Sequence, residues 1–335
     1  MSRSILPVAR PLTPLYRAVW AARNLAYDRG WARARRLRNP VICVGNISVG
    51  GAGKTPLTIR LAELLVERGI GVDVLSRGYG RRSAVVARVD PAGAAEDFGD
   101  EPLLIAQSAQ VPVYVGASRY AAGALAESDF AGPRVHLLDD GFQHRQLARD
   151  VDIVVLHRDD LKSGLLPAGR LREPLSALGR AHFLALREED ADLEQEMRGR
   201  GLRQPVLWMR RRVEIPKAGR AVAFCAIGHP EEFFRDLKDG GMAMVATRWW
   251  RDHHRYTPGD AAELVELLRQ HHGDAFVTTA KDFARLDVGT RTALENAAPV
   301  HVARLGLTLR DEPMVIDQLM GSLPGAGDRP GRMRK

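Results

Sequence analysis

The stretch Val41-Ile-Cys-Val-Gly-Asn-Ile-Ser-Val-Gly-Gly-Ala-Gly-Lys-Thr55 decides how this 335-residue chain is read. An apolar strand runs into a glycine-rich turn and Lys54-Thr55. A helical pattern follows from Pro56 to Arg68 and closes at Gly69. Glycines let the backbone curl until its N–H groups face one point. The helix start adds partial positive charge at that point. A lysine and a hydroxyl at the end of such a loop suit the β- and γ-phosphates and a magnesium ion. The loop is therefore expected to bind a nucleoside triphosphate through Asn46, Ser48, Val49, Gly50, Gly51, Ala52, Gly53, Lys54 and Thr55. The usual spacing has glycine where this chain has Ser48, so the strand-loop-helix context carries the assignment. Pro56 is tolerated in a first helical turn.

Val135-His-Leu-Leu-Asp-Asp-Gly-Phe-Gln-His144 reads as a strand ending in two carboxylates. P-loop enzymes hold Mg²⁺ at such a strand end. Asp139 and Asp140 would repel each other at a buried end unless a cation lay nearby. The plainer alternative is a capped turn at Gly141. Gly99-Asp-Glu-Pro102 sets Asp100 either as a proton acceptor or as a helix cap. Arg77 and Arg119 are cations that suit phosphate or plain solvent. Ala168-Gly-Arg-Leu-Arg-Glu-Pro-Leu175 gathers Arg170, Arg172 and Glu173, and an arginine there can oppose charge on a transferring phosphoryl group. Asp252-His253-His254 lacks the further ligands of a zinc site.

Strands at Gly71–Leu75, Val111–Val115, Val135–Leu138 and Val151–Leu156 alternate with helical segments such as Ala117–Glu127. This alternation predicts an α/β fold: a P-loop NTPase-like lobe with a mainly parallel sheet over residues 39–204. Residues 205–220 read as a strand-like linker. A second, smaller α/β lobe is expected over 221–325, with strands Val222–Ile227, Met242–Ala246 and Ala275–Thr279 and helices Glu231–Lys238 and Pro258–Gln270. A basic tail spans 326–335.

The net charge is +8, and residues 1–38 account for all of it, with nine arginines against the single acid Asp28. A neutral body argues against nucleic acid as a partner. Residues 12–37 read as a basic amphipathic helix with Leu12, Leu15, Tyr16, Val19, Trp20, Ala26 and Tyr27 on one side. Tyr16, Trp20, Tyr27 and Trp31 suit a lipid headgroup boundary, and arginine suits an anionic surface. The alternative is a helix packed on its own domain. The sequence shows no spanning apolar run and no secretory signal. Cys43 and Cys225 read as reduced, buried thiols.

The motifs GNISVGGAGKTP, SRGYGR, GDEP, DDGFQH, AGRLREPLSAL, DHHRY and TTAKD occur in this order. In them the chain closely resembles the tetraacyldisaccharide 4'-kinases, the lipid A 4'-kinases of Gram-negative bacteria. The likeness runs from the N-terminal helix to about residue 320. It implies two α/β/α lobes with the active site in the cleft. It also implies ATP and Mg²⁺, and a peripheral or monotopic protein on the cytoplasmic face of the inner membrane, held by the N-terminal helix. The implied acceptor is the 4'-hydroxyl of a tetraacylated glucosamine disaccharide 1-phosphate, with no obligate protein partner. By this resemblance Asp100 is the general base and His253 its partner. Thr55, Asp139 and Glu173 lie near the metal, and Arg119 and Arg172 near the phosphates or the lipid's anionic group. Lys54 holds phosphate, Asp140, Gln143 and His144 complete the acidic turn, and Arg77 and Glu101 support it. Ala280 stands where relatives often carry glutamate. Two other readings fit the sequence. One is a nucleotide switch, because Thr279-Ala-Lys-Asp282 resembles a guanine-specifying segment. The other is a membrane-binding module, which leaves the loop and the acidic turns without a role.

Overall fold

A computed structural model describes residues 11–50, 53–252 and 254–324. These residues form strands β1 Val41–Asn46, β2 Val72–Ser76, β3 Ala87–Arg88, β4 Val113–Val115, β5 Val135–Asp139, β6 Val151–Val155, β7 Phe183–Arg187, β8 Val206–Glu214, β9 Ala221–Cys225, β10 Met244–Trp249, β11 Ala275–Thr279 and β12 Val300–Leu309. The helices are α1 Thr13–Asp28, α2 Lys54–Glu67, α3 Ala95–Phe98, α4 Asp100–Ala109, α5 Arg119–Asp129, α6 Arg158–Lys162, α7 Ala191–Gly199, α8 Pro230–Asp239, α9 Pro258–Gln270, α10 Ala280–Phe283, α11 Val288–Ala297 and α12 Glu312–Gly321.

The strands form one sheet in the order β10-β9-β11-β12-β8-β7-β6-β1-β5-β2-β4-β3. Neighbours run parallel except at the β3–β4 edge and at β8–β12. The second exception joins the two lobes. Residues 206–214 of the expected linker form β8, and β12 lies beside it antiparallel, with Arg304 opposite Glu214 and Leu309 opposite Met209. The mainly parallel α/β architecture is thus as expected, and the two lobes share a continuous sheet.

β1 is buried at every position because helices cover both faces of the sheet. α2 lays Leu57, Leu61, Leu64 and Leu65 on one face, and each fully buried leucine contributes about 2 kcal/mol. Gly53, at φ +80°, supplies the left-handed residue that turns the loop into α2. In the second lobe α9 starts on a reciprocal Thr257–Asp260 cap with Pro258 in the first turn.

Two segments depart from the sequence expectations. The first helix ends at Asp28 rather than near residue 37. Gly30 takes φ +72°, and the chain then crosses to pair Arg35 with Leu147. The last helix, α12, was expected in the second lobe but packs on α2 of the first. Val315, Ile316 and Leu319 enter the core that holds Leu57 and Leu61, and Arg60 grips Glu312 through two hydrogen bonds of 2.9 and 2.7 Å. The expected tail at 326–335 lies outside the described residues.

α1 presents two apolar faces. Tyr16 and Trp20 turn inward: the Tyr16 hydroxyl donates to the Arg172 carbonyl (2.7 Å), and Trp20 packs against the core around Ile47 and Phe142. Asn24 is buried and takes Arg145 at 3.0 Å, while the Arg145 guanidinium lies over the Tyr27 ring. Leu12, Leu15, Val19, Leu25 and Trp31 remain exposed. Of the four aromatics expected at a headgroup boundary, only Trp31 is on the open side. Both cysteines are free and buried, as expected. No described helix is long and apolar enough to cross a membrane.

Candidate active site

β1 and β5 run side by side, with Val44 level with Asp139. The loops at their carboxyl ends therefore meet over the sheet. β6 lies on the other side of β1, so the strand order reverses here, which is where open α/β sheets bind ligands. The glycine-rich loop enters this crevice buttressed by the 164–173 segment. Val49 N–H donates to the Arg170 carbonyl (2.8 Å) and Arg172 N–H to the Ile47 carbonyl (2.7 Å). Ser48 pairs with Leu171 and is buried. The Arg170 side chain donates to the Val49 carbonyl at 3.1 Å. Gly50 holds φ +118°, open to glycine and strained for other residues. Gly51 and Ala52 lie outside the described residues.

Lys54 and Thr55 open α2. Lys54 Nζ lies 3.5 Å from Asp140 Oδ1. Arg172 reaches the same carboxylate at 3.1 Å and Gln143 Oε1 at 3.4 Å. Gln143 donates to the Asn46 carbonyl at 2.8 Å, tying the acidic turn to the end of β1. The buried Asn46 amide has no hydrogen-bond partner among the described residues. Asp140 adopts φ +48°, a left-handed conformation that aspartate tolerates better than most residues. Burial would raise its carboxyl, but Lys54 and Arg172 outweigh burial and hold it low.

Asp139 is the opposite case. It is buried, with Oδ1 accepting from Thr58 at 3.1 Å and Oδ2 without a partner among the described residues. Burial, then Glu101 and Asp140, push its carboxyl up to about 7, against the pull of Lys54. The two adjacent carboxylates thus sit in opposite electrostatic surroundings, one desolvated and one paired with cations. Arg119 is buried close by. Burial and Arg77 bring it down to about 10 while Asp140 and Asp139 pull the other way. Its Nη1 donates to the Ala117 carbonyl at 2.9 Å. Burial and the arginines 119, 149, 23 and 77 bring His144 down to about 4, so this ring is neutral near pH 7. Glu173 is buried against Arg180 at 2.5 Å.

Asp100 sits at the first position of α4, after Gly99 at φ +94°. Arg285 of the second lobe reaches it at 2.6 Å. Lys281 lies 3.8 Å from Glu101 and 3.7 Å from Asp252. The second lobe thus contributes its α10 region to the crevice. His253 lies outside the described residues. Its neighbour His254 is engaged within the second lobe, stacked on Trp250 and 3.0 Å from Asp260. Asp282, the aspartate that kept a guanine-specifying reading open, is buried. It accepts from Ala226 N–H (3.0 Å) and the Thr279 hydroxyl (2.6 Å). Its carboxylate is therefore engaged within its own lobe.

Sequence reading missed Thr58, Lys281 and Arg285. Thr58 follows Lys54 by one helical turn, so the helix period carried its signal. Lys281 stands inside the Thr279-Ala-Lys-Asp282 segment with no role read for it, and Arg285 just beyond has no local pattern to mark it. The crevice as built joins backbone donors, a lysine, buried arginines and a proton-binding carboxylate. That set suits binding a polyphosphate and moving a phosphoryl group between oxygens.

The sequence matches the family described as tetraacyldisaccharide-1-P 4'-kinase over residues 5–323. A tetraacyldisaccharide 4'-kinase of Koribacter versatilis is 45% identical over 322 residues, covering 92% of this chain and 97% of that protein. Its counterpart in Chromobacterium violaceum is 40% identical over 291 residues, covering 82% of each. Among solved structures, "apo" form LpxK from Aquifex aeolicus in complex with ATP superposes with a TM-score of 0.75 at 32% identity, covering 94% of this chain and 98% of that one. The chain belongs to the tetraacyldisaccharide-1-P 4'-kinase family.

Proposed function

We propose that the chain transfers the γ-phosphate of ATP to the 4'-hydroxyl of a tetraacylated glucosamine disaccharide 1-phosphate at a membrane surface. The observation that carries this reading is the buried Asp139 carboxylate, one oxygen without a partner among the described residues, beside the loop that ends in Lys54. Such an oxygen fits a hard divalent cation. Thr55 and Asp139 are the residues that would hold Mg²⁺, and Glu173 would join them on release from Arg180. Bound there, the metal would neutralise charge on the phosphate oxygens.

In this reading the loop N–H groups and Lys54 hold the β- and γ-phosphates. Asp100 accepts the proton of the 4'-hydroxyl as that oxygen bonds to the γ-phosphorus. The bond from the γ-phosphorus to the β–γ bridging oxygen breaks, and ADP leaves with the electron pair. Arg172 and Arg119 oppose the developing negative charge. His253 is the expected partner of Asp100. The exposed stripe of α1, with Arg17, Arg29 and Arg33 around it, supports contact with the lipid surface that carries the acceptor. Acyl chains on one substrate and ATP as the other favour the cytoplasmic face of the inner membrane.

The test mixes the purified chain with γ-labelled ATP and Mg²⁺, with or without the tetraacyl disaccharide 1-phosphate in detergent micelles. Label in the lipid supports the kinase. Free phosphate without acceptor points to a nucleotide switch, and no turnover to a membrane-binding module.

A further inference from the structure

Among the described residues, a guanidinium of the second lobe touches Asp100, the proton acceptor proposed above. Arg285, just beyond α10, has 5% of its side chain exposed, and its Nε lies 2.6 Å from Asp100 Oδ2. The two residues are 185 positions apart in sequence. The same guanidinium is anchored in its own lobe. Its Nη1 donates to the Ala226 carbonyl at 2.9 Å and lies 3.4 Å from Asp282 Oδ1. Asp282 is in turn fixed by Ala226 N–H and the Thr279 hydroxyl. The β11–α10 corner is therefore a stiff mount that presents a planar cation to a carboxylate of the other lobe.

A short aspartate at a helix start can rotate its carboxylate plane. A charge-assisted bond to a rigid fork fixes that plane. A proton acceptor must meet its donor within hydrogen-bond reach, and a misplacement of about 1 Å costs about a hundredfold in rate. We propose that Arg285 is a positioning residue that orients Asp100 for proton abstraction, so that approach of the second lobe makes the base competent. This rests on Asp100 being the base.

The test measures kcat and KM for ATP and for the lipid acceptor in Arg285→Ala, Arg285→Lys, Asp100→Asn and the Asp100→Asn/Arg285→Ala double variant. Arg285→Ala is expected to lose about a hundredfold in kcat, with KM for ATP within about twofold of the wild type. Guanidinium ion added to this variant is expected to restore part of the rate. In the Asp100→Asn background, Arg285→Ala is expected to cost nothing further, because the residue acts only through Asp100. Should Arg285→Ala fold poorly, Arg285→Lys keeps the charge without the planar fork and is expected to lose kcat at an unchanged melting temperature. Wild-type kcat in folded Arg285 variants, or losses that multiply in the double variant, would overturn the proposal. Wild-type turnover in Asp100→Asn would remove the base assignment and this inference with it. An inactive Asp100→Asn beside a fully active Arg285→Ala would remove only the inference.

Discussion

Lys54 Nζ lies 3.5 Å from Asp140 Oδ1, although one residue opens the helix after β1 and the other follows the end of β5. Parallel pairing of the two strands forces this meeting, because Val44 and Asp139 share a register position. The lysine neutralises Asp140 and leaves Asp139, its neighbour, buried with one unbonded oxygen among the described residues. Divided roles for adjacent carboxylates follow from that difference in surroundings.

Asp139 makes stability depend on pH. Its folded carboxyl, pushed up to about 7, binds a proton more tightly than an unfolded aspartate does. Its contribution is therefore full below the ordinary carboxylate range and is lost as the pH rises towards about 7. Asp139→Asn is expected to abolish transfer yet stabilise the ligand-free protein at about pH 8, by on the order of 2–4 kcal/mol, with little effect at about pH 4. Thermal unfolding across that range checks this, and a lower melting temperature at pH 8 would count against the assigned burial.

A second titrating cluster lies at the opposite end of β5. His136 is buried, with Nδ1 2.6 Å from Asp73 and Nε2 3.4 Å from Glu127, and Arg134 lies 3.1 Å from Asp73. Burial would lower the imidazole, but Asp73 and Glu127 outweigh it and hold it above its ordinary value. A raised histidine contributes stability below its unfolded value and loses it as the pH rises through the folded value. Glu127 goes the other way: burial is overcome by hydrogen bonds from His136, Asn39 and Arg38, which bring it down to about 2. Its contribution is present above the ordinary glutamate range and lost as the pH falls towards 2. His136→Asn is expected to cost about 2–4 kcal/mol at about pH 6 and less at about pH 9. Denaturant unfolding at both pH values checks it, and an equal cost at both would show that charge is not what the cluster supplies.

Gly45 is needed for close approach. A Cβ there would fall 2.5 Å from Phe142 Cβ and 2.9 Å from the Phe142 nitrogen. Gly45→Ala is expected to destabilise by about 1–3 kcal/mol and to push the acidic turn away from the glycine-rich loop. The readouts are the unfolding midpoint and the KM for ATP. A variant unchanged in both would contradict the packing described for this turn.

The outer stripe of α1 gives a membrane prediction. Leu15 and Val19 are 64% and 62% exposed. Leu15→Asp/Val19→Asp is expected to leave the melting temperature unchanged and to weaken partition onto anionic lipid vesicles by about tenfold or more. Vesicle sedimentation checks this, and undiminished partition would move the lipid contact elsewhere.

Much of the crevice was legible because it is built from local patterns. The glycines before Lys54, the paired acids after an apolar strand and the alternation of strand and helix each act over a few residues. α9 and β11 matched their expected ends because caps and turn residues mark them. What could not be read were meetings between distant segments. α12 crosses back to the first lobe on an apolar face that any sheet could have received. Arg285 carries no periodic mark, and only the fold sets it on Asp100. In α1, the spacing revealed apolar residues but not which of them faces the lobe. Tyr16 and Trp20 lie inside while Leu15 and Val19 lie outside.

The most direct test of the central claim, that the loop around Lys54 and the carboxylates of Asp139 and Asp140 form one nucleotide site, is titration calorimetry of Mg-ATP into the wild type and Lys54→Ala. Loss of a charge-assisted contact to phosphate is expected to weaken binding by about 10- to 100-fold while the melting temperature holds. Equal affinity in a folded Lys54→Ala protein would contradict the account.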